Sequence, residues 1–119
     1  MFKKLKKTML IAEACENHFG KLSNAKKMIR EAKKSGADYV KFQHHIPEEE
    51  MLKKVPKSKN FNISLYNFLK KNSLKIYDHE ILKNYCKVIG IKYLCTPFCL
   101  KAAHELNEIG VDMFKIGSG

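Results

Sequence analysis

Four short apolar runs, each ending in polar residues, constrain this chain more than any other feature. They are 9–20 (MLIAEACENHFG), 37–45 (ADYVKFQHH), 91–98 (IKYLCTPF) and 111–119 (VDMFKIGSG). The stretches between them carry helical periodicity. Nearly continuous apolar strands need cover on both faces, so the repeat of strand, polar tip and helix predicts a parallel α/β protein. In that class the chemistry sits at the carboxyl ends of the strands. Strands are expected at 8–14, 38–43, 91–95 and 112–116, with helices at 23–35, 78–90 and about 99–109. A right-handed progression of such units fits either an open doubly wound sheet or the first half of a (β/α)8 barrel.

Local signals support these elements. In the first helix Ser23 or Asn24 can cap the start, Ala25, Met28, Ile29 and Ala32 share a face, and Gly36 suits an end that needs positive φ. Gly20 breaks the segment after the first strand. In the second helix Asp78 is the cap candidate, Ile81, Leu82, Tyr85, Val88 and Ile89 form the inner stripe, and Gly90 closes it. Residues 44–76 hold two prolines and read as a long excursion, interrupted by a short helix over 64–72.

At 119 residues the chain is one domain at most. No apolar run approaches the roughly 18 residues of a membrane span. The basic start MFKKLKK before a short apolar stretch raises a signal peptide, but Glu13 interrupts that stretch and a cytoplasmic chain is the simpler expectation. Cys15, Cys86, Cys95 and Cys99 are spread as reduced thiols would be, with no second pair at zinc-ligand spacing. The net charge of +11 invites a nucleic-acid reading, yet Arg30 is the only arginine, and base readout favours Arg. A solvated lysine-rich surface is expected instead, in a field that also favours a small anionic substrate.

The strand tips carry the candidate site. Lys41 and Lys115 sit inside strands among apolar neighbours (YVKFQ and MFKIG), where an ammonium needs an anion. Equivalent positions on two strands suggest one shared phosphate or carboxylate; solvent at a strand edge is the plainer alternative. Ser118 with the flanking Gly117 and Gly119 can form an N–H nest for phosphate, or an ordinary turn. Thr96 offers a hydroxyl to a ligand or to a turn. Glu13 needs a partner, for which Lys41 or a substrate hydroxyl would serve. Gln43 can donate and accept at the second tip. Asn17 and His18 follow the first strand, His18 as an acid/base or as a loop imidazole. His44 and His45, being adjacent, face opposite ways on a strand and make a poor metal pair.

In order, the motifs IAEACENHFG, GADYVKFQ, YLCTPF and FKIGSG resemble the sialic acid synthase family from about residue 9 onward. The resemblance implies a (β/α)8 TIM barrel, of which residues 1–119 would be the N-terminal half. The C-terminal half-barrel and an antifreeze-like domain would lie outside the chain. It implies condensation of phosphoenolpyruvate with an N-acetylated amino-sugar aldehyde to a nonulosonic acid, with release of phosphate. It implies that Lys41, Thr96, Lys115 and Ser118 bind phosphoenolpyruvate, that Gln43 contacts the sugar, and that Glu13 stands near the reacting carbons. Glu13, Lys41 and Lys115 are the catalytic candidates, and Asn17 and His18 follow as substrate-binding candidates. A divalent metal, Mn²⁺ or Mg²⁺, and a homodimer are implied for the full-length family, with the metal ligands outside this chain.

Two departures stand out: Cys15 occupies a position where the family commonly has Gly, and His44 is not the commonest residue after Gln43. The turn after the first strand is expected to differ at Cys15, and His44 with the acidic PEEEM loop marks a subgroup with another sugar, which leaves N-acetylmannosamine, its 6-phosphate and a diacetamido sugar open. A barrel of this type takes about 250 residues, so the chain alone is expected to be inactive. The alternative is a non-catalytic anion-binding or half-barrel assembly module. A nucleic-acid binder would instead show strongly salt-dependent retention on DNA.

Overall fold

The computed structural model describes residues 7–118. The basic start that raised a signal peptide therefore lies largely outside the described residues, as does Gly119 of the expected nest. Elements run in the order β1 (Ile11–Cys15), α1 (Leu22–Lys34), β2 (Tyr39–His44), α2 (Pro47–Glu50), α3 (Leu65–Asn72), α4 (Ile76–Ile89), β3 (Lys92–Pro97) and α5 (Leu100–Glu108). The strands form one parallel sheet in the order β1-β2-β3.

Register decides which side chains share a face. Lys41 pairs with Glu13 on one side and Leu94 on the other; Gln43 pairs with Thr96, and Phe42 with Cys95. Side chains alternate along a strand, so Val40, Phe42, Tyr93 and Cys95 look to the helices. There they join Ala25, Ile29 and Ala32 of α1, Leu82 and Cys86 of α4, and Leu106 of α5 in one core. The opposite face carries Glu13, Lys41, Gln43, Leu94 and Thr96, none of which belongs to that core. Consecutive parallel strands in sequence order, with α1, α4 and α5 packed on one core, fit both the open sheet and the barrel expected from the sequence.

Several expectations need correction. The strand expected at 112–116 is reduced to a single bridge, Cys95 to Phe114, closed by Lys115 N donating to Cys95 O at 3.0 Å. Among the described residues this segment has no partner on its far side and only this one bridge on its near side. Helix α1 starts at Leu22 after Lys21, with no side-chain cap; Asn24 instead donates from Nδ2 to His18 O at 3.2 Å. Helix α4 begins earlier than expected, so Asp78 reaches back from inside the first turn to accept from Lys75 N at 3.0 Å. Its buried residues are His79, Leu82 and Cys86, whereas Val88 is 82% exposed. His79 is drawn inward because Tyr93 OH lies 2.7 Å from its Nδ1.

The long excursion holds the expected short helix, capped by Ser64 Oγ accepting from Asn67 N at 3.2 Å. It also holds α2, a one-turn helix not foreseen. Its sequence PEEE carries the signal: Pro at the first helical position and acids in the first turn. Gly20 has φ +69°, and a Cβ there would stand 3.1 Å from Asn72 O, so glycine lets the turn after β1 seat against the end of α3 without strain. All four cysteines are free, Cys86 and Cys95 buried and the others half-buried. Burial pushes the Cys86 and Cys95 thiols up to about 12.

Candidate active site

The face opposite the helices gathers five of the eight residues singled out from the sequence. Lys41 Nζ lies 2.6 Å from Glu13 Oε2, with Lys41 14% and Glu13 44% exposed. Strand register produces this pair, since the two residues are direct partners on β1 and β2. Glu13 Oε1 also accepts from Cys15 N at 3.1 Å, which holds the carboxylate at the end of β1. Thr96 is buried and stands in register with Gln43. Phe114 bridges to Cys95 on the helix side, so alternation puts half-buried Lys115 on the same face as Thr96. A Cβ on Gly117 would meet Thr96 Cγ2 at 3.7 Å and Phe98 Cε1 at 3.8 Å, so the chain leading to exposed Ser118 passes beside the third tip.

The other two candidates lie apart from this face. Asn17 is exposed and donates from Nδ2 to Ala14 O at 3.1 Å, bracing the turn. His18 is fully buried, 6.0 Å from the Phe42 ring, and its Nδ1 accepts from Gly20 N at 3.0 Å. Burial lowers its pKa to about 4. The imidazole therefore sits neutral in the interior and packs the turn against the core.

The backbone at Cys15 is one that suits the Gly the resemblance implies there. The strand register slips between Glu13 and Cys15, and Cys15 takes φ +51°, a left-handed conformation that favours glycine. Its thiol, pushed up first by burial and then by Glu13, receives Gln43 Nε2 at 3.1 Å. The turn thus keeps a glycine-like backbone and gains a side-chain contact. Cys15→Gly relieves backbone strain but loses that contact and loosens the unfolded chain, so its stability is expected within about 1 kcal/mol of wild type. Urea unfolding of the variant checks this.

Sequence reasoning missed three residues behind the tips: Glu16, His45 and Glu50. Glu16, in the turn after β1, is buried, and burial together with nearby Glu50 raises its pKa to about 8. His44 and His45 do face opposite ways. His44 Nε2 meets Glu105 at 2.8 Å, and His45 Nδ1 meets Glu50 at 2.8 Å. No group of three or more His, Cys, Asp or Glu among the described residues is arranged to hold a metal ion. The described residues thus do not fit the divalent ion that the resemblance implies.

Two cavities lie away from the Lys41 face. One of about 700 Å³ opens at the amino ends of the strands beside Lys92 and Tyr93. The other, of about 520 Å³, lies among His44, Leu74, Lys101 and Glu105. The Lys41 face itself lines neither. No helix among the described residues is long and apolar enough to cross a membrane.

Known proteins resemble this chain in sequence and in fold. The NeuB family model matches residues 28–119. The chain is 40% identical over 121 aligned positions to an N,N'-diacetyllegionaminic acid synthase of Campylobacter jejuni, covering 97% of this chain and 36% of that protein. It is 35% identical to an N-acetylneuraminate-9-phosphate synthase of Mus musculus, covering 92% of this chain and 32% of the relative. The structure of an N-acetylneuraminic acid synthetase from Leptospira borgpetersenii, in complex with citrate, superposes with a TM-score of 0.81 at 32% identity, over 93% of this chain and 36% of that one. The chain thus spans about a third of the length of the relatives it matches. With a family model covering most of its residues and a parallel sheet like that of a sialic acid synthetase, the chain belongs to the NeuB family.

Proposed function

We propose that this chain forms the N-terminal part of a (β/α)8 barrel in a nonulosonic acid synthase and carries the face that receives phosphoenolpyruvate. The observation that supports this most is the shared face of Glu13, Lys41, Gln43, Thr96 and Lys115 at the carboxyl ends of the strands. Glu13 fixes one N–H of the Lys41 ammonium and leaves the other two for an oxyanion. Lys115, Thr96 and the chain before Ser118 add a second cation and a hydroxyl. Phosphoenolpyruvate has two anionic ends on a three-carbon frame, and two cations on one face match that shape.

In the reaction, C3 of phosphoenolpyruvate attacks the aldehyde carbon of an N-acetylated amino sugar, and the aldehyde oxygen takes a proton. Water adds at C2, and the C2–O bond breaks to release phosphate. The lysines supply positioning and charge stabilisation; the metal and the homodimer belong to the full-length family. The 119-residue polypeptide by itself binds the anion without turnover, because its anion-binding face is not enclosed and water is not excluded.

Thermal unfolding with and without phosphoenolpyruvate tests this reading. A ligand at 100 times its Kd stabilises the folded state by about 2.7 kcal/mol. A rise in the unfolding midpoint is expected for the wild type and is expected to vanish in the Lys41→Met, Lys115→Met double variant. Loss of Lys41 leaves Glu13 with solvent and the Cys15 N–H, so the variant should fold with a loss of about 1 kcal/mol or less. Equal midpoint shifts in both proteins would remove the proposed site.

A further inference from the structure

The His45 ring is held on three sides. Nδ1 lies 2.8 Å from Glu50 Oε2, Nε2 lies 3.1 Å from Gln43 Oε1, and the ring stacks on Phe98 with centroids 4.1 Å apart. Glu50 is itself fixed: its side chain is 6% exposed, and Oε1 accepts from Ile46 N at 2.6 Å. As oriented, both polar partners of His45 present acceptor oxygens, an arrangement matched by a ring that donates from both nitrogens.

Gln43 completes the chain by donating from Nε2 to Cys15 Sγ at 3.1 Å. The two ends of an amide are assigned by its hydrogen-bond network, and here the reversed amide is the natural partner of a neutral His45. Gln43 N–H would then donate to His45 Nε2, and the Cys15 thiol would donate to the Gln43 carbonyl. Cys15 can play either part, because a thiol both donates and accepts weakly, and burial keeps its proton in place. One proton on His45 thus decides which end of the amide lies toward Cys15. In each state one N–H and one carbonyl lone pair stay free, with their positions exchanged.

We propose that His45, braced by Glu50, is a positioning residue that sets the orientation of the Gln43 amide on the face shared with Lys41 and Thr96. The ligand class this selects is a polyhydroxylated N-acyl sugar, whose amide and hydroxyl groups read the two orientations differently. That ligand assignment rests on the function proposed above; the coupling of His45 to Gln43 belongs to the free protein. The titratable and charged groups around the ring are Glu50 on α2, Glu16 after β1, and His44, His79 and Glu105 across the strand.

The test is a titration of the free 119-residue chain by NMR, from about pH 5 to about pH 9. The ring nitrogens of His45 and the side-chain amide of Gln43 are followed together. The Gln43 amide is expected to change with the same midpoint as the His45 ring, to keep doing so in Cys15→Ser, and to lose that response in His45→Gln. A Gln43 amide that ignores the His45 titration in the wild type would overturn the proposal, with no variant required. A parallel titration with phosphoenolpyruvate separates the two readings. Coupling without a response to phosphoenolpyruvate counts against the proposed function alone. A response without coupling counts against the positioning role alone.

Discussion

Replacing Glu16 with glutamine is expected to stabilise the fold by about 3–5 kcal/mol above pH 8 and by almost nothing near pH 4.5. The Glu16 side chain is 10% exposed, and neither oxygen finds a hydrogen-bond partner among the described residues. His18 Nε2 is nearest, but at 3.8 Å it is beyond hydrogen-bonding range, and both groups are neutral at moderate pH. Burial, with repulsion from Glu50 behind it, raises the carboxyl from an ordinary 4.5 to about 8. Between those values the folded chain keeps a proton that the unfolded chain releases, so stability falls as pH rises. His18 and His79 act in the opposite direction. Burial lowers them, His18 to about 4, so below pH 6.5 the unfolded chain binds protons the folded chain refuses, and stability falls as pH drops. Glu16→Gln removes the alkaline arm and leaves the acid arm. Urea unfolding across this range reads both arms. An advantage for the variant at pH 4.5 as large as that above pH 8 would mean that packing, not charge, is responsible.

What the sequence revealed, and what it hid, follows from where each interaction comes from. The alternation in YVKFQH is local, and it separates Val40 and Phe42 from Lys41 and Gln43 before any fold is known. Glu13 beside Lys41 was legible once two parallel strands were assumed, because neighbouring strands in register bring such residues together. The segment VDMFKI has a strand's composition, but a strand is completed by partners, and only Phe114 finds one among the described residues. His79 lies outside the apolar stripe expected for its helix; its burial goes with a hydroxyl 14 residues away on β3. Glu16 and His45 were opaque for the same reason. Each lies near Glu50, and no periodicity within their own segments records that. Helix α2 was readable from Pro followed by three acids, and was overlooked only because the excursion around it is irregular.

Phe42→Ala is expected to cost about 3–5 kcal/mol and to lower the thermal midpoint by about 10–25 °C. Phe42 is fully buried, stacks on Tyr93 with centroids 5.8 Å apart and lies 6.0 Å from His18, so truncation opens a cavity bounded by rings that cannot collapse into it. A domain of this size holds about 5–15 kcal/mol in all, so the variant stands near the limit of folding. Its place in β2 makes the consequence functional. The same strand turns Phe42 to the helices and Lys41 and Gln43 to the open face, so one side chain anchors the backbone that carries both site residues. Two ways of losing the response to phosphoenolpyruvate then become separable. Lys41→Met should abolish it in a chain that still unfolds cooperatively near the wild-type temperature. Phe42→Ala should weaken it by depopulating the folded state, and cooling should restore it. Phe42→Leu, which keeps most of the volume, should cost about 1.5 kcal/mol or less and keep the full response. If Phe42→Ala lost under 1 kcal/mol, the aromatic stack would not be the anchor of the sheet, and the alignment of Glu13, Lys41 and Thr96 would need another source.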